Sequence, residues 1–105
     1  MPRSFFPKTR VFMSCEYKRL REFVGQQVVV DTDSHHLYIG HLLSVDDEVL
    51  ELAEADVHDS QTTTTPRDLY IINTAKFGIK KNRERVVVRM ARVLSVSAMK
   101  DVTPY

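Results

Sequence analysis

The chain has 105 residues, a formal net charge of +1, 43% hydrophobic residues, 28% charged residues and a single cysteine, Cys15. This length suits one small domain, and no apolar run approaches the roughly 20 residues that a membrane helix needs. One cysteine cannot form a disulfide within the chain. These features argue against membrane-spanning and disulfide-rich proteins and predict a cytoplasmic location.

The charges are unevenly distributed along the chain. Residues 1–30 contain six Lys/Arg and two Glu, residues 31–59 contain nine acidic residues and no Lys/Arg, and residues 60–105 contain nine Lys/Arg and three acidic residues. The segments therefore carry +4, −9 and +6. This pattern fits either an ordinary charged exterior or an acidic patch of one copy that meets a basic patch of the next.

The N-terminal part is predicted to be an arm followed by a short helix. Residues 1–13 contain Pro2 and Pro7, which disfavour a helix, so they are interpreted as an arm. Ser14 is a suitable helix cap, and Gly25 suits a helix end. Apolar residues between them follow helical spacing, namely Tyr17, Leu20, Phe23 and Val24.

Three strands are predicted next. The β-branched segment 27–32 reads as a first strand, and the alternating segment 37–45 reads as a second. Gly40 within the second strand indicates a sharp bend or a close backbone approach. Residues 46–48 form an acidic turn, and residues 49–57 form the third strand.

Residues 58–82 are interpreted as an insertion that starts with a polar loop. Thr65 and Pro66 are typical of a helix start, with Thr65 as the cap, and Gly78 is typical of a helix end. The competing interpretation is a strand over residues 69–72, because β-branched residues are stiff in helices. The helix is favoured.

Two further strands, over residues 86–90 and 92–98, precede a tail at 99–105 that is predicted to be loose. A short antiparallel meander must close or hide its edges. The prediction is therefore a mainly β (α+β) fold, a small, bent, SH3-like five-stranded antiparallel barrel with an N-terminal helix, formed by a single domain over residues 14–98.

The sequence offers little evidence for catalysis or metal binding. The four histidines, His35, His36, His41 and His58, follow no zinc-ligand spacing, and there are no cysteine pairs. The chain has only three glycines and no phosphate-binding loop. We expect no enzyme activity, no metal, no cofactor and no small-molecule substrate.

Two segments together resemble the Sm and Sm-like family. Residues 20–57 resemble its first signature block, in which Leu20 precedes a glycine, a valine-rich strand and the segment from Tyr38 to Asp46; residues 86–96 resemble the second block. The resemblance implies a homo-oligomeric ring of five to eight copies, closed by pairing of the last two strands between neighbours. The interface residues that it implies are Val86, Val87, Val88, Val93, Leu94 and Val96.

The resemblance also implies binding of single-stranded RNA inside the ring, through Asp46, Val49 and Arg89. The turn after Asp46 lacks the family's Asn, however, and Met90 and Ala91 follow Arg89 where the family has Gly and a polar residue. A second candidate surface is the basic stretch, with Tyr70 or Phe77 available for stacking; its cations are Lys76, Lys80, Lys81, Arg83 and Arg85. The alternative function is a ring that contacts protein partners and binds no RNA.

Overall fold

The computed structural model describes residues 17–62 and 65–103. Residues 17–20 are helical and continue into a 3₁₀ turn. The elements that follow residue 20, in chain order, are the 3₁₀ turn Arg21–Phe23, strands β1 (Gln27–Thr32), β2 (His36–Val45) and β3 (Val49–Asp59), helix α1 (Arg67–Phe77), strand β4 (Arg83–Arg89), the 3₁₀ turn Met90–Arg92, strand β5 (Val93–Ala98) and the 3₁₀ turn Met99–Asp101.

The five strands form one antiparallel sheet in the order β4-β3-β2-β1-β5. This confirms the predicted bent five-stranded sheet with a helix before the fourth strand. The predicted bounds of β1 match the structure, whereas β4 begins at Arg83, three residues before its predicted start. It begins earlier because Arg83 and Arg85 continue the ladder by pairing with Ala55 and Ala53.

The sheet bends where Gly40 of β2 faces β3. The pairing shifts register between Ile39 and His41, and Glu54 of β3 adopts a φ of 48° there. A Cβ on Gly40 would lie 3.0 Å from the carbonyl oxygen of Ala53 and 3.1 Å from the Cα of Ala55. The close backbone approach predicted for Gly40 is confirmed, and it needs a residue without a side chain.

The apolar side chains of β2 belong to two cores, one on each face of the sheet. Leu42 belongs to the barrel interior, whereas Leu37 and Ile39 belong to a cluster on the outer face. The predicted alternation is wrong at Val45, which lies in the interior with Leu42 instead of sharing the face of Ile39, because the pairing shifts register between Leu42 and Ser44. The buried residues of the interior are Val28, Val30, Leu42, Val45, Leu50, Leu52, Ala55 and Val88.

Helix α1 covers the outer cluster. Tyr70, Ile71 and Ala75 of the helix pack against a cluster that includes Leu37 and Ile39. The helix, and not the competing strand, is therefore correct for residues 69–72. The helix removes the outer side of β1 and β2 from water, which explains why the valine run of β1 is buried on both sides.

The ends of α1 agree with the sequence only in part. Gly78 ends the helix with a φ of 92°, as predicted, and its N–H donates to the carbonyl of Thr74 at 2.8 Å. At the other end, Pro66 and not Thr65 occupies the cap position, in an extended conformation. The helix therefore begins one residue later than predicted, at Arg67.

Two predicted boundaries require correction. Strand β3 extends to Asp59, so the excursion between β3 and β4 begins after Asp59 rather than at His58, and His58 is buried in the strand. The tail is not loose at its start, because Met99 is buried and Val102 packs beside it in the outer cluster. The predicted arm at 1–13 and helix cap at Ser14 lie outside the described residues.

No helix in the described part of the chain is long and apolar enough to cross a membrane.

Candidate nucleic-acid interface

The two loops that contain Asp46 and Arg89 lie side by side at one end of the barrel. Val49 pairs with Arg89 across β3 and β4. The backbone N–H of Met90 donates to the carbonyl of Glu48 at 2.8 Å. The antiparallel ladder therefore brings together Asp46, Val49 and Arg89, the three residues that the sequence predicts at the inner face of a ring.

Asp46 stabilises the turn in which it lies through its side chain. Its Oδ1 accepts the backbone N–H of Glu48 at 2.8 Å and that of Val49 at 2.9 Å. These hydrogen bonds, with that from Val49 as the larger cause, lower the pKa of the Asp46 carboxyl. An ionised carboxylate fixed in this way stabilises the β2–β3 connection.

The side chain of Arg89 is exposed and forms no hydrogen bond or ion pair with the residues that the structure describes. It borders an open cleft of about 310 Å³ together with Tyr38 and Arg92. Arg92 is paired with Asp33 at 3.3 Å, so its charge is already partly compensated. Arg89 is therefore the cation of this loop pair that remains available to an anion.

The basic stretch divides into paired and unpaired cations. Lys81 lies 3.0 Å from Glu84, and Arg85 lies 2.6 Å from Glu51. The hydrogen bond to Glu84 and its charge raise the pKa of Lys81. Within residues 17–62 and 65–103, Lys76 and Lys80 have no such partner, whereas Arg83 donates to the carbonyl of Asn82 at 3.0 Å.

The two aromatic residues proposed for stacking are in different environments. The Tyr70 ring stacks on His58 with centroids 3.9 Å apart, and its hydroxyl donates to Asp56. Phe77, at the last position of α1, is 77% exposed. Phe77 therefore offers a free ring face, whereas Tyr70 is used inside the molecule.

Comparison with solved structures identifies the architecture. The Sm protein of Pyrococcus abyssii, solved in complex with a uridine heptamer, matches over 77% of this chain and 93% of its own length, with a TM-score of 0.53 and 18% identity. An Sm-like protein from Archaeoglobus fulgidus matches over 76% and 88%, with a TM-score of 0.52 and 17% identity. The chain adopts the Sm fold. No protein-family model and no curated protein sequence matches the chain.

The two edge strands of this Sm fold carry the most exposed large apolar side chains of the sheet. Val87 of β4 is 58% exposed and Leu94 of β5 is 67% exposed. Leu94 is an extra residue in the β1–β5 ladder, because Asp31 pairs with Ser95 while Thr32 pairs with Val93. Of the six predicted interface residues, these two point away from the chain.

The other four predicted interface residues contribute to the interior of the barrel. Val88 is buried, and Val86, Val93 and Val96 are half-buried against the interior cluster. Their side chains therefore stabilise the single chain, and only their backbone groups are at the edge.

A polar cluster that was not predicted from the sequence lies between β3, α1 and the residue preceding β4. Asp56 is 3% exposed, and its carboxylate accepts hydrogen bonds from the Tyr70 hydroxyl and, at 3.0 Å, from the Asn82 amide. Asn82 is itself fixed by the backbone of Val57, whose N–H it accepts at 3.0 Å. One signal in the sequence could have indicated this cluster: Asp56 precedes His58 by two residues, so both polar side chains lie on one face of a strand.

In the described ranges, 17–62 and 65–103, no group of three or more His, Cys, Asp or Glu side chains is arranged to hold a metal ion. The nearest approaches among the histidines are pairs with one carboxylate each, His36 with Asp59 at 3.7 Å and His41 with Glu54 at 3.9 Å.

Proposed function

We propose that this chain assembles head to tail into a closed ring of five to eight copies, in which β4 of one copy pairs with β5 of the next. The observation that carries the proposal is the pair of open sheet edges, each with an exposed apolar side chain, Val87 on one and Leu94 on the other. Unpaired edges with apolar side chains favour association, and repetition around a rotation axis leaves none of them open.

The charge distribution does not select this interface. Residues 31–59 carry nine acidic residues without a Lys or Arg, and residues 60–105 carry nine Lys/Arg. Both edge strands belong to the basic segment, and β5 contains no charged residue, whereas β2 and β3, inside the sheet, belong to the acidic segment. The proposed pairing of β4 with β5 therefore rests on their open backbone groups and on Val87 and Leu94.

The ring is proposed to bind single-stranded RNA in the cytoplasm as a non-catalytic scaffold without a cofactor. Arg89 supports this, because each copy contributes one exposed arginine beside the 46–48 loop, and a ring repeats that charge around its axis. The similar Sm protein from Pyrococcus abyssii was solved with a uridine heptamer. The contribution of Asp46 and Val49 is to hold the loop that faces Arg89.

The alternative is a ring that contacts protein partners and binds no RNA. It is favoured by the internal pairing of the cations, since Lys81, Arg85 and Arg92 each have a carboxylate partner. Glu48 is also exposed in the loop beside Arg89 and would repel phosphate.

The two functions are separated by native mass spectrometry before and after nuclease, followed by titration of a uridine-rich single strand. We expect a closed oligomer with nuclease-sensitive additional mass. Arg89→Gln is expected to weaken RNA binding and to reduce its salt dependence, because one phosphate contact per copy is lost. Arg85→Gln is the control, since that arginine is already paired with Glu51.

A clean oligomer that binds no strand at low salt would favour the protein scaffold. Equal RNA affinities for wild type and Arg89→Gln would contradict the role of Arg89, and a stable monomer would contradict the ring.

A further inference from the structure

An open cleft of about 300 Å³ lies at the C-terminal end of α1, away from the loops that contain Asp46 and Arg89. Its lining includes an exposed aromatic ring, a lysine, an asparagine and a buried carboxylate, namely Phe77, Lys80, Asn73 and Asp56. Its volume is at the lower limit of small-molecule sites, roughly 300 Å³. None of the residues proposed for the inner face of the ring contributes to it.

Phe77 provides an aromatic surface beside this cleft. It is the last residue of α1, and the positive φ of Gly78 turns the chain away immediately after it. The side chain is the most exposed of the large apolar residues described. A free aromatic face at a cleft is the feature that proteins use to stack nucleic-acid bases without a partner strand.

Lys80 provides a positive charge at the same cleft. It is exposed and has no ion pair or hydrogen bond with the described residues, whereas its neighbour Lys81 is held by Glu84 at 3.0 Å. Phe77 and Lys80 line the same cleft. An aromatic ring and an unpaired cation together suit a ligand with a planar base and a phosphate.

Asp56 supplies the acceptor that reads such a base. A carboxylate has about four acceptor positions, and among the residues that the structure describes two of them are used, by the Tyr70 hydroxyl and by the Asn82 amide at 3.0 Å. Burial, followed by the hydrogen bond to Asp56, raises the pKa of Tyr70, so its hydroxyl remains a donor at physiological pH. Asp56 is therefore held in place, with acceptor capacity left for a ligand.

We propose that this cleft binds a nucleotide of single-stranded RNA, with the base stacked on Phe77, the phosphate at Lys80 and base N–H groups donating to Asp56. Guanine is the favoured base, because its N1–H and N2 amino group present two adjacent donors to a carboxylate. The proposal rests on the RNA-binding function proposed above for the source of the nucleotide, but it concerns a separate surface.

Calorimetric titration of GMP and UMP into the full-length protein tests the proposal without an RNA strand. We expect saturable binding of GMP, and about tenfold weaker binding for Phe77→Ala, since loss of one base stack corresponds to roughly that factor. Lys80→Gln is expected to weaken GMP binding while leaving guanosine binding unchanged. Leu69→Ala is the matched control, because Leu69 is exposed on the same helix and does not line the cleft.

Absence of saturable GMP binding to the wild type would overturn the proposal, and so would equal weakening by Leu69→Ala and Phe77→Ala. Equal affinities for GMP and UMP would overturn the assignment of Asp56 as the base-reading group. Arg89→Gln separates the two functions, since it is expected to weaken RNA binding and to leave GMP binding unchanged. GMP binding by a protein that binds no RNA would contradict only the function proposed for the ring.

Discussion

At the scale of single residues, Gly40 and Glu54 together decide how the barrel bends. Gly40 is buried where β2 crosses β3, and Glu54 opposite it has a φ of 48°, which is uncommon for a residue with a side chain. The glycine allows the two backbones to approach, and the bulge at Glu54 moves the following side chains of β3 to the other face. The bulge thereby places Asp56 on the outer face, where it meets Tyr70 of α1.

Gly40→Ala is expected to destabilise the fold by about 1–3 kcal/mol, because the new Cβ would meet the carbonyl of Ala53 at 3.0 Å in a packed interior. Urea unfolding followed by circular dichroism measures the change. Ser44→Ala is the control, since Ser44 is exposed on the same strand and should change stability by less than about 0.5 kcal/mol. Equal midpoints for the two variants would contradict the close approach.

The sequence indicated part of this arrangement. A lone glycine in a strand pattern points to a bend, and that prediction was correct. The partner at Glu54 was not predictable, because no local preference places a glutamate in the left-handed region. The burial of Val45 on the same face as Leu42 was missed because alternation continues only until a bulge changes the register, here between Leu42 and Ser44.

At the scale of elements, α1 is held on the sheet by polar contacts as well as by its apolar face. Arg67, at the start of the helix, forms an ion pair with Asp31 and donates to the carbonyl of Ser34 at 2.7 Å. Tyr70, one turn later, stacks on His58 and donates to Asp56. These contacts fix the helix at the turn between β1 and β2 and along β3.

Tyr70→Phe is expected to destabilise the protein by about 1–3 kcal/mol, since the variant keeps the ring but removes one donor from the buried Asp56 carboxylate. Thermal and urea unfolding measure the loss. Tyr38→Phe is the matched control, because the Tyr38 hydroxyl has no hydrogen-bond partner among the described residues. Identical stabilities would show that the Tyr70–Asp56 hydrogen bond contributes nothing.

The sequence predicted which segments form strands and helices better than it predicted how these elements pack against one another. The β-branched run of β1 and the Pro and Gly that frame α1 are local signals, and both elements are present where the sequence indicated. The docking of α1 on Val29 and Leu37 was not predictable, because its apolar residues are spread around the helix and mark no single face. The same holds for Met99, whose burial depends on a surface formed by distant strands.

At the scale of the whole molecule, the main feature is the pair of sheet edges, β4 and β5, which stay unpaired in a single copy. β4 and β5 are both short, seven and six residues, and each carries one large exposed apolar side chain. Which cations of the charged stretch 80–92 are free to bind RNA was not predictable from the sequence. Arg85 and Lys81 looked available to RNA, but their partners, Glu51 and Glu84, follow from strand pairing and turn geometry.

Leu94→Glu is expected to convert the proposed ring to monomers, because it places a charge where β5 would meet a neighbour's β4. Native mass spectrometry and light scattering measure the mass, and circular dichroism checks that the variant remains folded. Leu43→Glu is the control, since Leu43 is an exposed leucine on β2, which has a strand on both sides. An unchanged oligomer for Leu94→Glu would contradict β5 as an interface strand.

Strand β1 has a further consequence for how quickly the chain reaches this structure. It pairs with β2 through a short turn, but its other neighbour is β5, so Val28 is aligned with Ala98. The loop that this pairing closes contains β2, β3, α1 and β4. Contacts between such distant positions are entropically costly to form and slow folding, typically to milliseconds or seconds. The β1–β5 ladder is therefore expected to form late in refolding, after the β1–β2–β3 meander.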